Sequence, residues 1–188
     1  MRLFVAVELP DAARAVLARG VAHLKRDQPD ARWVRPESLH LTLKFIGEQE
    51  LGCAETLAGS MPAALASCAP VAVRLGGGGF FPHRHRARVA WVGIAAPGLA
   101  KWAQAIDEAT AALGVAREVR PWSPHLTLAR IERPWGEQAT EHFIVAIGKW
   151  RFEPFIASEA VVFSSELRPS GAVHTPLCRC RIGGVDAR

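Results

Sequence analysis

Val34-Arg35-Pro36-Glu37-Ser38-Leu39-His40-Leu41-Thr42-Leu43 recurs 85 residues later as Val119-Arg120-Pro121-Trp122-Ser123-Pro124-His125-Leu126-Thr127-Leu128, with eight of the ten positions identical. A match of that length within 188 residues marks an internal repeat. Two copies imply a duplicated lobe rather than a solenoid. In an extended strand alternate side chains share a face. His40 and Thr42 therefore point one way, and Leu41 and Leu43 the other. The same parity sets His125 and Thr127 against Leu126 and Leu128. The leucines give each strand a core to grip and leave an imidazole and a hydroxyl for a cleft. Packing alone explains one such pair on a half-buried strand, but it gives no reason for two matching lobes to carry the same pair. Two strands related by a pseudo-two-fold axis would bracket one small anion, with two imidazoles for proton transfer and two hydroxyls for hydrogen bonds.

Working outward, the first run, Arg2 to Leu9, reads as a buried strand ended by Pro10. Asp11 suits a helix N-cap, and Leu17, Val21 and Leu24 follow at helical spacing. A second helix is expected from Cys53 to Cys68, kinked or divided at Pro62. Val71 to Leu75 reads as a strand running into Gly76-Gly77-Gly78-Gly79, a stretch suited to a hinge or a close-packed strand end. No Gly-Lys-Ser/Thr follows, so the glycines do not form a nucleotide-phosphate loop. After Phe80-Phe81 comes the basic segment His83-Arg84-His85-Arg86, read as a basic, partly aromatic loop able to touch a nucleic acid rather than a metal pair. Arg88 to Ile94 is a strand. Leu99, Trp102, Ile106, Ala109 and Leu113 form the apolar stripe of a helix over residues 97–113, stopped at Gly114. A matching helix is expected at Glu137 to Ile147. Late strands are expected at Phe155 to Phe163 and Val173 to Ile182, joined through Arg168-Pro169-Ser170-Gly171. This order predicts an α+β fold with antiparallel sheets. No low-complexity linker separates the halves, so residues 1–188 are expected to form one domain with a shared interface.

Composition fits that reading. At 49% hydrophobic and 22% charged the chain suits a globular core, and its net charge of +5 suits an anionic partner. Only Lys25, Lys44, Lys101 and Lys149 are lysines, so the positive charge is mostly arginine, whose planar fork matches phosphate oxygens. Cys53, Cys68, Cys178 and Cys180 match no zinc spacing. The apolar run Leu3 to Val7 is too short for a signal peptide or membrane span. A cytoplasmic location and free thiols are the expectation.

The doubled His-x-Thr-x resembles the signature of the two-histidine (2H) phosphoesterases. His40-Leu41-Thr42-Leu43-Lys44-Phe45-Ile46-Gly47-Glu48 and His125-Leu126-Thr127-Leu128-Ala129-Arg130 are similar to the bacterial and archaeal RNA 2′,3′-cyclic phosphodiesterases, first described as 2′-5′ RNA ligases. The resemblance runs from Met1 to near Ile182. It implies two pseudo-symmetric lobes, each a small antiparallel sheet with outer helices, and an active-site cleft between the sheets. It also implies hydrolysis of cyclic phosphate ends to a 2′-phosphate, with His40 as general acid and His125 as general base and no metal or cofactor. Thr42 and Thr127 would hold phosphate oxygens. RNA ends, tRNA fragments among them, or nucleoside cyclic phosphates would be the partners, and the protein would act as a monomer. Arg130 matches the family's arginine after the second motif, although strict alternation places it on the face opposite His125 unless a bulge intervenes. Lys44 shares strand parity with His40 and could reach the cleft. Phe80 or Phe81 could stack a base. Where the family has proline and then tyrosine, this chain has Ala172-Val173-His174, and it contains no tyrosine. The alternatives are a phosphoesterase for another 2′-linked phosphate (2′-5′ oligoadenylate or ADP-ribose cyclic phosphate) and a non-catalytic RNA-end-binding module.

Overall fold

A computed structural model describes residues 1–28, 30–168 and 171–183. The elements in order are β1 (Arg2–Glu8), α1 (Asp11–Asp27), β2 (Arg32–Trp33), β3 (His40–Glu48), α2 (Leu51–Leu65), β4 (Val71–Phe81), β5 (Val89–Ala95), α3 (Leu99–Ala112), β6 (His125–Arg130), α4 (Glu137–Gly148), β7 (Phe155–Ala157), β8 (Glu159–Arg168) and β9 (Gly171–Arg181). They form two antiparallel sheets, β3-β1-β8-β9 and β2-β6-β5-β4-β7. The fold class is α+β, as the alternation of strand and helix patterns predicts.

The repeat extends well beyond the ten-residue motif. Shifted by 85 residues, β1 falls on β5, α1 overlaps α3, β3 starts where β6 starts, α2 falls on α4 and β4 overlaps β8. The two halves are nevertheless interleaved. Strand β4 of the first half completes the sheet of β5 and β6, and β8 of the second half completes the sheet of β1 and β3. Helices cross over as well. Ala13, Leu17, Val21 and Leu24 of α1 pack with Phe80, Leu126, Leu128 and, from α4, Phe143 under the second sheet. Leu57 and Met61 of α2 and Leu99, Trp102 and Ile106 of α3 pack with Leu3, Val5, Leu41 and Leu43 under the first. Burying each such large apolar side chain stabilises the fold by about 1.5–3 kcal/mol. Neither half can therefore keep its own core if the other is removed.

Local chemistry accounts for the remaining departures. Leu3 to Val7 are all buried because β1 is a central strand. Leu3, Val5 and Val7 face the helices, while Phe4 and Ala6, on the opposite face, are flanked by Phe163 and Val161 of the neighbouring strand β8, with the His40 ring stacked on Phe4. Asp11 is the first helical residue rather than the cap, with Pro10 before it. Helix α2 runs unbroken through Pro62. Proline lacks the N–H that would reach the carbonyl four residues back, and the Cys178 thiol donates to that carbonyl, Ala58 O, at 3.7 Å. The glycine run is continuous strand with an irregularity between Leu75 and Gly78. Gly79 is required there because a Cβ would lie 2.3 Å from the Trp91 indole. The single strand expected over 155–163 is two: β7 joins the second sheet, and after Ser158 the chain crosses to the first as β8. Of the turn expected between the last strands, Pro169 and Ser170 lie outside the described residues. All four cysteines are free thiols. No helix among the described residues is long and apolar enough to cross a membrane.

Candidate active site

Each motif strand runs antiparallel to the strand that starts its own repeat, and the two ladders coincide residue for residue. Glu8 lies opposite His40, Ala6 opposite Thr42, Val5 opposite Lys44 and Phe4 opposite Phe45. Adding 85 to each number gives Gly93 opposite His125, Trp91 opposite Thr127, Ala90 opposite Ala129 and Val89 opposite Arg130. In both ladders one leucine, Leu43 or Leu128, is passed over. That is a β-bulge, and it reverses side-chain parity beyond it. Leu43 and Lys44 are both buried and Phe45 is exposed; Leu128 and Ala129 are both buried and Arg130 is exposed.

The bulge decides two site residues in opposite directions. Arg130 stands on the same face as His125 and Thr127, which strict alternation would forbid. Lys44 is turned away from His40 and does not reach the cleft face. Lys44 is 6% exposed as a residue, and its ammonium donates to Asp107 Oδ1 on α3 and, at 2.9 Å, to Ala116 O. Phe80 is corrected too: it is buried against Phe143 and Trp135, with ring centroids 5.0 and 5.9 Å away. Its neighbour Phe81 takes the position facing the site, edge-on to His125 with centroids 4.8 Å apart. Phe163 lies opposite Phe4 as Phe81 lies opposite Val89, and it sits 6.4 Å from His40.

Both histidines are held identically. His40 Nδ1 lies 2.8 Å from Ser38 O, and His125 Nδ1 lies 2.8 Å from Ser123 O. A carbonyl can only accept, so Nδ1 carries the hydrogen in each ring and donates it. Each Nε2 is left as the nitrogen able to exchange a proton with a ligand. Pro36-Glu37-Ser38 forms a 3₁₀ turn that presents Ser38 O. Arg14 of α1 secures that turn, its guanidinium donating to Pro36 O at 3.0 Å, Glu37 O at 3.2 Å, Leu39 O at 3.0 Å and Leu9 O at 3.2 Å. Nothing in the sequence singles out Arg14, because the carbonyls beside His40 that it binds lie more than twenty positions away. Trp122 was equally silent; its indole N–H donates to Thr42 O at 3.1 Å and so links the second motif to the first. Strands β3 and β6 lie against each other where the sheets meet.

The surroundings of the two rings differ. Phe4 stacks on His40 with centroids 4.5 Å apart, and His174 meets it perpendicularly at 5.1 Å. His174 lies opposite Ser165 on β8, so the residue that departs from the family pattern is part of this site. Burial, assisted by the nearby charges of His174 and Arg14 and opposed by the bond to Ser38 O, lowers the His40 pKa to about 4. Burial and then Arg35 lower that of His174. Two buried side-chain nitrogens lack a partner among the described residues, Trp91 Nε1 and His174 Nδ1. Both residues belong to the sheet faces carrying the motif polar groups. Elsewhere on the His40 face, Arg179 bonds Glu8 at 2.5 Å and Glu159 at 2.7 Å, so carboxylates neutralise it. In the basic segment Arg84 is tied to Thr140, Glu137 O and Glu141 of α4.

The His40 shift makes a stability prediction with a definite sign. An unfolded chain takes up a proton near pH 6.5, whereas the folded ring resists until about pH 4. Its contribution is complete above pH 6.5 and is lost as pH falls towards 4, up to about 3 kcal/mol. Urea unfolding at pH 7 and pH 4.5 should show a smaller acid loss for His40→Gln than for the parent chain. Equal losses in the two chains would contradict the burial of a neutral ring.

Similarity to other proteins agrees with this geometry. The sequence model described as LigT like Phosphoesterase matches the chain twice, over residues 7–91 and 92–174, one match per repeat. A Thermus thermophilus protein named RNA 2′,3′-cyclic phosphodiesterase is 34% identical over 100% of this chain and 93% of its own. One of the same name from Methanothermobacter thermautotrophicus is 28% identical over 94% and 96%. The crystal structure of a Thermus thermophilus protein superposes with a TM-score of 0.79 at 28% identity, covering 98% of this chain and all of that one. Escherichia coli LigT complexed with 3′-AMP shares the fold at a TM-score of 0.72, with 23% identity over 97% and 98%. A duplicated bulge, a doubled histidine–carbonyl bond and a family match falling once on each repeat have one common explanation: the chain belongs to the LigT-like phosphoesterase family.

Proposed function

We propose that the protein hydrolyses the 2′,3′-cyclic phosphate at RNA ends or on nucleosides, with His40 and His125 as its acid–base pair. The observation that carries this is the matched pair of Nδ1–H bonds, which leaves two Nε2 atoms on duplicated strands to move protons. Water oxygen bonds to phosphorus while its proton passes to His125 Nε2. The P–O3′ bond breaks, and His40 Nε2 gives its proton to O3′, leaving a 2′-phosphate. With a ribose 5′-hydroxyl attacking in place of water, the same steps form P–O5′, break P–O3′ and give 2′-5′ ligation. In the reverse direction O3′ attacks phosphorus, the 5′-hydroxyl leaves and the linkage is cleaved. Burial keeps His40 neutral in the open site, so it becomes the proton donor once the phosphate anion stands beside the ring and favours its charged form. Thr42 and Thr127 hold the non-bridging oxygens and offset the charge that develops on them. Arg130 and Phe45 occupy equivalent positions beyond the two bulges, and this difference gives the site a direction: a guanidinium for a further phosphate on one side, an aromatic ring on the other. Both proton transfers are met by imidazole, so the reaction needs no metal ion.

The test is incubation with a nucleoside 2′,3′-cyclic phosphate in EDTA, with chromatographic separation of the 2′- and 3′-phosphates. The expected result is undiminished turnover to the 2′-phosphate. No turnover on cyclic phosphates, with cleavage of 2′-5′ oligoadenylate or ADP-ribose cyclic phosphate, would replace the substrate class. Binding of RNA ends without turnover on any of them would sink the enzymatic reading.

A further inference from the structure

On the outer side of the second sheet, α1 and α4 pack together and bring His23, Asp27 and His142 to one spot. His23 and Asp27 are four residues apart on α1, and that spacing puts both side chains on one helix face. His142 comes from the neighbouring helix, with its Nδ1 3.6 Å from Asp27 Oδ2. One ligand atom from each of the three lies within 4.8 Å of the others. We infer that these three side chains form a surface site for a borderline divalent transition ion, Zn²⁺, Ni²⁺ or Cu²⁺, that ties α1 to α4.

The distances favour this. Bond lengths of about 2.0–2.2 Å from Zn²⁺ to imidazole nitrogen and carboxylate oxygen put tetrahedral ligand atoms about 3.4 Å apart. The Asp27–His142 pair is already at 3.6 Å. The remaining closure, from at most 4.8 Å to about 3.4 Å, is up to about 1.4 Å, within the rotameric reach of exposed side chains. Two imidazoles and one carboxylate select transition ions over Mg²⁺, which prefers an all-oxygen shell. A fourth position stays open to water. One group opposes binding: Arg26 donates to His23 Nδ1 at 2.8 Å and places a positive charge beside the site. A metal ion bound through that nitrogen must displace it. The ion would join a helix of the first repeat to a helix of the second, on residues the proposed hydrolysis does not use, so the two readings stand or fall separately.

The experiment uses the full chain stripped with EDTA, followed by calorimetric titration and thermal unfolding with NiCl₂ or ZnCl₂, and MgCl₂ as control. One ion per chain is expected, with a rise in Tm of about 5–10 °C at a hundredfold excess over Kd. Asp27→Asn and His142→Ala should each weaken binding by at least the ~10–100-fold that loss of a supporting hydrogen bond costs a metal site. Arg26→Ala should tighten it. Cys178→Ser and His83→Ala should leave it unchanged, and hydrolytic activity should not respond to Asp27→Asn. Absence of a Ni²⁺ or Zn²⁺ shift, an equal shift with Mg²⁺, or binding that survives both Asp27→Asn and His142→Ala would overturn the site.

Discussion

His125→Ala and His40→Ala are each expected to lower kcat/KM on a 2′,3′-cyclic nucleotide by about 10²–10⁴-fold, the usual worth of one positioned proton transfer. The two losses should not add, because the imidazoles act in a single step, and the double variant should fall little below the worse single one. The variants should differ in their pH dependence. In the parent enzyme kcat/KM reports the free site, where the pKa of His40 is about 4. The kcat profile reports the complex, where the phosphate anion favours the charged ring, so the same limb should appear at higher pH there. His40→Ala should remove that moving limb, and His125→Ala should leave it in place. Undiminished turnover in either alanine variant, with the fold intact by circular dichroism, would falsify paired acid–base catalysis.

How much of this was legible in the sequence depends on the range of the interaction concerned. The duplication, the strand parity of His-x-Thr and the apolar stripe of α3 are local patterns, and each reads directly from the chain. The direction of Arg130 was nearly legible: its position was marked, but only the partner strand reveals that Leu128 is passed over. Lys44 failed for the same reason, since alternation counted from His40 holds only up to the bulge at Leu43. Phe80 and Phe81 were an unresolved pair, because the irregularity at Leu75–Gly78 breaks the count along β4. The interleaving of the halves left no local trace at all. Nothing in the β4 or β8 sequence says which sheet will take it, and the single strand read over 155–163 hid a crossing at Ser158. Arg14, Trp122 and Asp107 act on atoms dozens of positions away, and no spacing rule reaches that far.

Removing Lys44 distinguishes the two readings of that residue. Burial alone would raise the Asp107 pKa, but the Lys44 ammonium, the Glu118 N–H and Arg117 together hold it below the usual carboxylate value. The Lys44 side chain is 4% exposed and that of Asp107 17%. Breaking a buried pair by deleting one partner leaves an uncompensated charge and costs about 3–5 kcal/mol. For a chain of this size that corresponds to a fall in Tm of about 10 °C. Asp107→Ala should be the worse of the two. It strands the ammonium with Ala116 O alone and also frees the Glu118 N–H, which Asp107 accepts at 2.9 Å. Lys44→Met should sit at the lower end, since Asp107 keeps Glu118 N–H and Arg117, 3.6 Å away. The two losses should be strongly non-additive in the double variant, as expected for residues in direct contact. Neither side chain reaches the His40 face, so activity per folded molecule should survive in both. A Lys44→Met enzyme with unchanged melting but severely weakened substrate binding would instead place that ammonium on the phosphate, and the bulge at Leu43 would then be misassigned.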